Sequence, residues 1–265
     1  MKNIYISVLV ENLKIRRSKV LPFAILASVF VSFMIGFLMY ISLHPELSNS
    51  SSLLGTKASY FTETDWHSYF GLLLQMTSAL GLVIFGFLTS FIFGREYSDR
   101  TLKDLLALPT PRSSIIMSKI IVVSFWSFIV SFVLFLSSIL VGIIININDW
   151  SNELLIQVLA IYIITALLTI AVTTPVAFIA SIGRGYLAPL AFIIATVMIS
   201  QFINLGAPGL DPYVPWAIPV IFSTSELMSD SSFPPLTFLS YFIVIGTCLI
   251  GIIGTIYWWK YTDQF

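Results

Sequence analysis

Charge is what this sequence has least of. Asp, Glu, Lys and Arg make up 10% of its 265 residues, against about a quarter in soluble domains. Hydrophobic residues make up 57%, which places the chain in a bilayer and leaves little of it for a separate soluble domain. The formal net charge is zero, so there is no electrostatic footprint for nucleic acid. The single cysteine, Cys248, excludes an internal disulfide. The two histidines, His44 and His67, are far apart and read as surface residues rather than metal ligands. No G-x-x-x-x-G-K-[ST] phosphate loop occurs, and Gly55-Thr56-Lys57 is not one. The chain is therefore expected to hold no cofactor and to neither bind nor hydrolyse ATP.

What is present is six apolar stretches of spanning length, about 20 residues or more each. They are Val20–Ser42, Tyr69–Phe93, Ile120–Ile145, Leu154–Ser181, Tyr186–Leu205 and Thr237–Trp259, and none contains an Asp, Glu, Lys, Arg or His. Ionisable groups within a membrane mark ion paths and proton relays. Their absence argues against an ion-coupled transporter or channel. It argues equally against an intramembrane enzyme, because no histidine or carboxylate lies in a stretch to activate a serine or threonine. The first stretch is longer than the apolar core of a secretory signal and reads as a retained span. Pro175 and Pro189 should kink or start their helices.

Twelve of the thirteen basic residues fall on one side of these spans, Lys57 being the exception. The positive side is the cytoplasmic one, so both termini are expected in the cytoplasm and the chain in the plasma membrane as a multi-pass protein. Glu46, Glu63, Asp65, Asp149, Glu153, Asp211, Glu226 and Asp230 fall on the other side. Trp66, Trp150, Trp258 and Trp259 lie near span ends, where an aromatic belt forms.

Four segments lie outside the spans. In residues 1–19, Ile6, Leu9, Val10 and Leu13 fall on one helical face and Ser7, Glu11, Lys14 and Ser18 on the other. That spacing suits an interfacial amphipathic helix; the alternative is a short flank that only holds positive charge inside. Between spans two and three, Ser98 or Asp99 can cap a short helix with Leu102, Leu105 and Leu106 on one face. Pro109 and Pro111 stop it, and Ser113 or Ser114 can cap span three. The segment reads either as a rigid two-faced helix able to transmit a push or as a solvated loop on the membrane. The segment from His44 to His67 is polar and serine-rich. The fourth, residues 206–236, holds six of the twelve prolines and the apolar run Val214 to Phe222 around Pro215, Trp216 and Pro219. That run is too short to span; it is a re-entrant segment or a cap over the outer ends of the helices.

Small or weakly polar residues recur every fourth position within the spans, as in Ser28-Ser32-Gly36, Gly86-Ser90-Gly94 and Thr165-Thr169-Thr173. They mark close helix packing or a lined path. Candidates for a cargo path are Gln75, Thr169, Thr173, Thr196, Ser200 and Gln201.

The run Glu96-Tyr97-Ser98-Asp99-Arg100-Thr101-Leu102-Lys103-Asp104-Leu105-Leu106-Ala107-Leu108-Pro109, followed by Arg112 and Ser118-Lys119, resembles the ABC-2-type permease family. The segment Pro215-Trp216-Ala217-Ile218-Pro219 is similar to that of small permeases in bacteriocin, lantibiotic and bacitracin self-protection systems. The resemblance covers the whole chain. It implies an all-α integral membrane fold: six transmembrane helices, an N-terminal interfacial helix, a cytoplasmic coupling helix at 99–108 and an outer re-entrant or cap segment before the last helix. It further implies that Glu96, Asp99, Arg100, Thr101, Leu102, Lys103, Leu105 and Leu106 dock a separate ATP-binding cassette subunit carrying ATP and Mg. Two such subunits and a second permease chain, identical or homologous, would complete the transporter. The cargo would be an amphipathic peptide or lipid-like molecule moved outward.

Overall fold

The computed structural model describes residues 2–44, 64–99, 101, 110–228 and 236–261. The described residues are almost wholly helical: α1 (Lys2–Arg16), α2 (Val20–Leu43), α3 (Trp66–Ser98), α4 (Arg112–Ile145), α5 (Asn152–Val172), α6 (Thr174–Ile182), α7 (Leu187–Gly206), a 3-10 turn (Pro208–Tyr213), α8 (Ile218–Met228) and α9 (Phe238–Tyr261). Six are long and apolar enough to cross a membrane, with α5 and α6 counting as one interrupted span. In lipid, every backbone polar group must be satisfied within the protein, which is why the chain resolves into helices.

α3 is the central helix. Of its apolar window, 67% is buried within the protein, against 17% for α7 and 22% for α9. Two apolar clusters hold the two ends of the bundle. One joins Ile15, Phe93, Ile116 and Trp259 at the end that carries the termini. The other joins Trp66, Phe70, Leu74, Tyr162 and Phe222 at the far end. Lipid tails are as apolar as these side chains, so close packing and hydrogen bonds, rather than escape from water, hold such helices together. The small-residue stripes serve that packing. A Cβ on Gly36 would collide with Val141, one on Gly86 with Ile193, and one on Gly94 with the backbone of Gly185. Ser32 donates to the Leu134 carbonyl across the α2–α4 contact at 3.1 Å and accepts from Ser138 at 3.0 Å.

The start of α4 differs from the expected third span. It begins at Arg112, N-capped by Pro111 with no side-chain cap, so neither Ser113 nor Ser114 caps it. Proline lacks the N–H that a helix start would leave unpaired, so it is well placed there. The helix therefore contains Lys119, which the apolar run alone leaves outside. At the other end of the hairpin, α3 runs on through Glu96 to Ser98. Two of the four tryptophans assigned to an aromatic belt are buried instead. Trp66 donates to the Ile147 carbonyl at 3.0 Å and Trp259 to the Ser181 hydroxyl at 2.9 Å. The indole N–H is satisfied inside the protein, where it fixes helix ends.

The fourth span breaks at Thr173, two residues before Pro175. Proline has no N–H for the carbonyl four residues back. The Thr174 hydroxyl takes that Ala171 carbonyl at 2.8 Å, and the Trp216 indole takes the Val172 carbonyl at 3.2 Å. Trp216 thus reaches deep into the bundle. Beside it, Ile218 packs with Leu82, Val172 and Val244. α8 then climbs until Phe222 and Leu227 join the cluster of Trp66 and Leu74. From Leu82 to Trp66 is about 24 Å along α3 at 1.5 Å per residue. The segment containing Pro215, Trp216 and Pro219 is therefore inserted between helices rather than laid over their ends.

Candidate functional site at the charged end of the bundle

α1, α3 and α4 each bring ionisable side chains to one point. Lys119 is 1% exposed, and Glu11 and Glu96 are 4% exposed each. The Lys119 ammonium directs all three protons inward: to Glu96 Oε1 at 2.8 Å, Glu11 Oε2 at 3.1 Å and the Ile92 carbonyl at 3.2 Å. Lys14, half-exposed, donates to Glu11 Oε1 at 2.7 Å and Glu96 Oε1 at 3.1 Å. Two cations thus meet two carboxylates, and the knot is neutral overall. Burial alone would raise the Glu11 carboxyl, but Lys119 and Lys14 outweigh it and hold the group below its ordinary range. Burial alone would lower the Lys14 ammonium, and Glu11 and Glu96 outweigh it and raise it. Glu96 Oε2 is buried without a hydrogen-bond partner among the described residues.

This arrangement reverses the amphipathic logic of a helix lying on a soluble core. The polar face of α1 turns inward: Glu11 and Ile15 are buried, and Asn12 accepts from the Trp126 indole at 2.9 Å. Ile6, Leu9, Val10 and Leu13 are exposed. That outward apolar face suits a helix immersed at the membrane surface.

The knot sits at both feet of the segment joining α3 to α4. Of the residues assigned to docking, Glu96 lies in the knot. Asp99 ends α3 and accepts from Arg95 Nε at 3.1 Å. Thr101 is exposed, and its N–H bonds the Glu96 carbonyl at 3.1 Å. Arg100, Leu102, Lys103, Leu105 and Leu106, and with them most of the expected coupling helix, lie outside the described residues. So do Lys57, Glu46, Glu63 and Asp230, and most of the segment between the first two spans.

At the opposite end, a cleft of about 240 Å³ opens between α3, α7 and α8, lined by Gln75, Ser200, Gln201 and Asn204 among apolar neighbours. It gathers three of the six cargo-path candidates. The other three lie elsewhere. Thr196, Thr169 and Thr173 are buried, each bonded to a carbonyl of its own span. Behind this cleft, the Asn204 amide lies 3.4 Å from the carboxylate of Asp211, a buried residue of the 3-10 turn.

Sequence reading misses the knot because it takes span ends from hydropathy, which excludes Lys119 and Glu96 by construction. The available signal was Pro111. A helix starting there carries Lys119 two turns into its body, level with the acidic end of the preceding span.

A helical bundle with six helices of spanning length and an inward-tied surface helix is the architecture of a polytopic membrane protein. Residues 7–200 match the ABC-2 family transporter protein family, and the chain belongs to that family. It is 27% identical over 190 residues to the bacitracin transport permease protein BCRB of Bacillus licheniformis, an alignment covering 72% of this chain and 88% of that one.

Proposed function

We propose that this chain is the membrane half of an ATP-driven exporter of the plasma membrane, with both termini in the cytoplasm. A separate ATP-binding subunit, carrying ATP and Mg, docks on residues 99–108. Two such subunits act on two permease chains. The observation that carries this reading is the four-charge knot, with Glu11, Glu96 and Lys119 buried, at both feet of the segment joining α3 to α4. A segment so anchored can pass a displacement to three helices at once. The spans would then shift between two arrangements with different access. Cargo of amphipathic character, a peptide or a lipid-like molecule, fits the uncharged cleft of Gln75, Ser200 and Gln201. The likeness to a bacitracin permease supports a peptide.

The test is co-purification with the ATP-binding subunit expressed alongside. Leu102→Asp and Leu105→Asp are expected to abolish it while leaving the permease in the membrane. Undiminished assembly by both variants would remove the docking role. Cargo movement that persists without nucleotide and collapses with a proton uncoupler would favour ion coupling through the buried carboxylates instead.

A further inference from the structure

Next to the knot, a second cleft of about 570 Å³ lies between α1, the start of α2, the end of α3 and the start of α7. Four basic side chains line it, Lys14, Arg17, Lys19 and Arg95, against one carboxylate, Asp99. Asp99 is already paired with Arg95 and Lys14 with the knot. Arg17 and Lys19 are exposed and have no ion-pair or hydrogen-bond partner for their charged groups among the described residues. Leu13 and Phe91 give the same cleft an apolar wall.

Position decides what such a cleft takes. Lys19 immediately precedes α2, where the chain enters the bilayer. Arg17 closes the surface helix whose apolar face is turned outward. Both therefore stand at the headgroup level. Basic pockets between membrane helices at that depth suit anionic headgroups. We propose that this cleft is a binding site for an anionic phospholipid. Its phosphodiester would be held by Arg17 and Lys19, with Lys14 and Arg95 behind, and its acyl chain would lie along Leu13 and Phe91. The occupant is bilayer lipid rather than a free anion, because a phosphate alone would leave that apolar wall uncovered. Only the choice of leaflet, the cytoplasmic one, rests on the orientation proposed above.

The experiment needs neither the ATP-binding subunit nor cargo, so its failure is separable from failure of the transport reading. The full chain is purified in mild detergent, and retained lipid is measured by native mass spectrometry. The same protein, stripped of lipid, is then given vesicles of phosphatidylglycerol and phosphatidylcholine, vesicles of phosphatidylcholine alone, or sodium phosphate, and its thermal unfolding is followed. Retained phosphatidylglycerol and a raised unfolding midpoint with the mixed vesicles alone are expected. Arg17→Gln with Lys19→Gln should lower retention roughly tenfold or more, as expected for two headgroup-level cations. Arg17→Lys with Lys19→Arg should keep it. Arg16→Gln with Lys260→Gln removes the same charge at the same end but outside the cleft, and should retain lipid like the parent. Equal loss in that control would reduce the effect to bulk charge and overturn the site. Equal retention in the Arg17/Lys19 glutamine variant would also overturn it, as would protection by sodium phosphate alone.

Discussion

Lys119 has no proton left for water, and its two carboxylate partners lie almost as deep. Removing one member of such a set leaves an uncompensated charge in a low-dielectric interior, which costs about 3–5 kcal/mol. Lys119→Met is therefore expected to lower stability in detergent by that order. Glu96→Gln combined with Lys119→Met should recover part of the loss, because fewer charges are then orphaned. The same unfolding experiment across pH has a defined shape. Glu11 is held below its ordinary 4.5, so its contribution is present above that value and disappears as pH falls through the lowered one. Lys14 is held above its ordinary 10.5, so its contribution is present below that value and disappears as pH rises through the raised one. Between these limits Glu11 and Lys14 add no slope. Glu11→Gln should flatten the acid limb and also shrink the alkaline one, because Glu11 is the main group that holds Lys14 raised.

Among the elements, the broken fourth span and its neighbour α9 are fitted most tightly. A Cβ on Gly251 would stand 2.6 Å from the nitrogen of Pro175 and 2.7 Å from the carbonyl carbon of Thr174. Backbone atoms cannot swing aside as a side-chain tip can. Gly251→Ala is expected to cost about 1–3 kcal/mol, read as a lower unfolding midpoint. Gly246→Ala on the same helix meets nothing within 4 Å and should not lower the midpoint. These elements also show what sequence reading can reach. The six spans were legible because 20-residue apolar runs have few other uses. The Pro175 break was legible because proline has a fixed chemical cost. The insertion of Trp216 beside Val172 was not. Nothing local to either residue says that an indole 44 positions later will complete the backbone of a distant kink. The stripes were equally two-sided, since small residues look alike whether they face a helix or a path, and only the positions of Val141 and Ile193 decide.

At the scale of the whole molecule, sidedness follows from the distribution of Lys and Arg, and the single cysteine makes it simple to measure. In a Cys248→Ser background, Glu153→Cys should react with a membrane-impermeant maleimide on intact cells. Arg16→Cys should react only after permeabilisation. The reverse pattern would invert the orientation and move the lipid cleft to the other leaflet. The candidate site was only half legible at this scale. Glu96 and Asp99 were singled out for their place in a motif. Lys119 was noted only as part of that motif and Glu11 and Lys14 only as a polar helix face, because their meeting depends on three helices far apart in the chain. The surface helix carries a further consequence. Its inner side is bolted by charge to both legs of the α3–α4 hairpin, while its outer side is greasy. Tilting that hairpin must drag the greasy side through the lipid headgroups. The lateral pressure of the bilayer, and anything that changes it, therefore bears directly on how easily the hairpin moves.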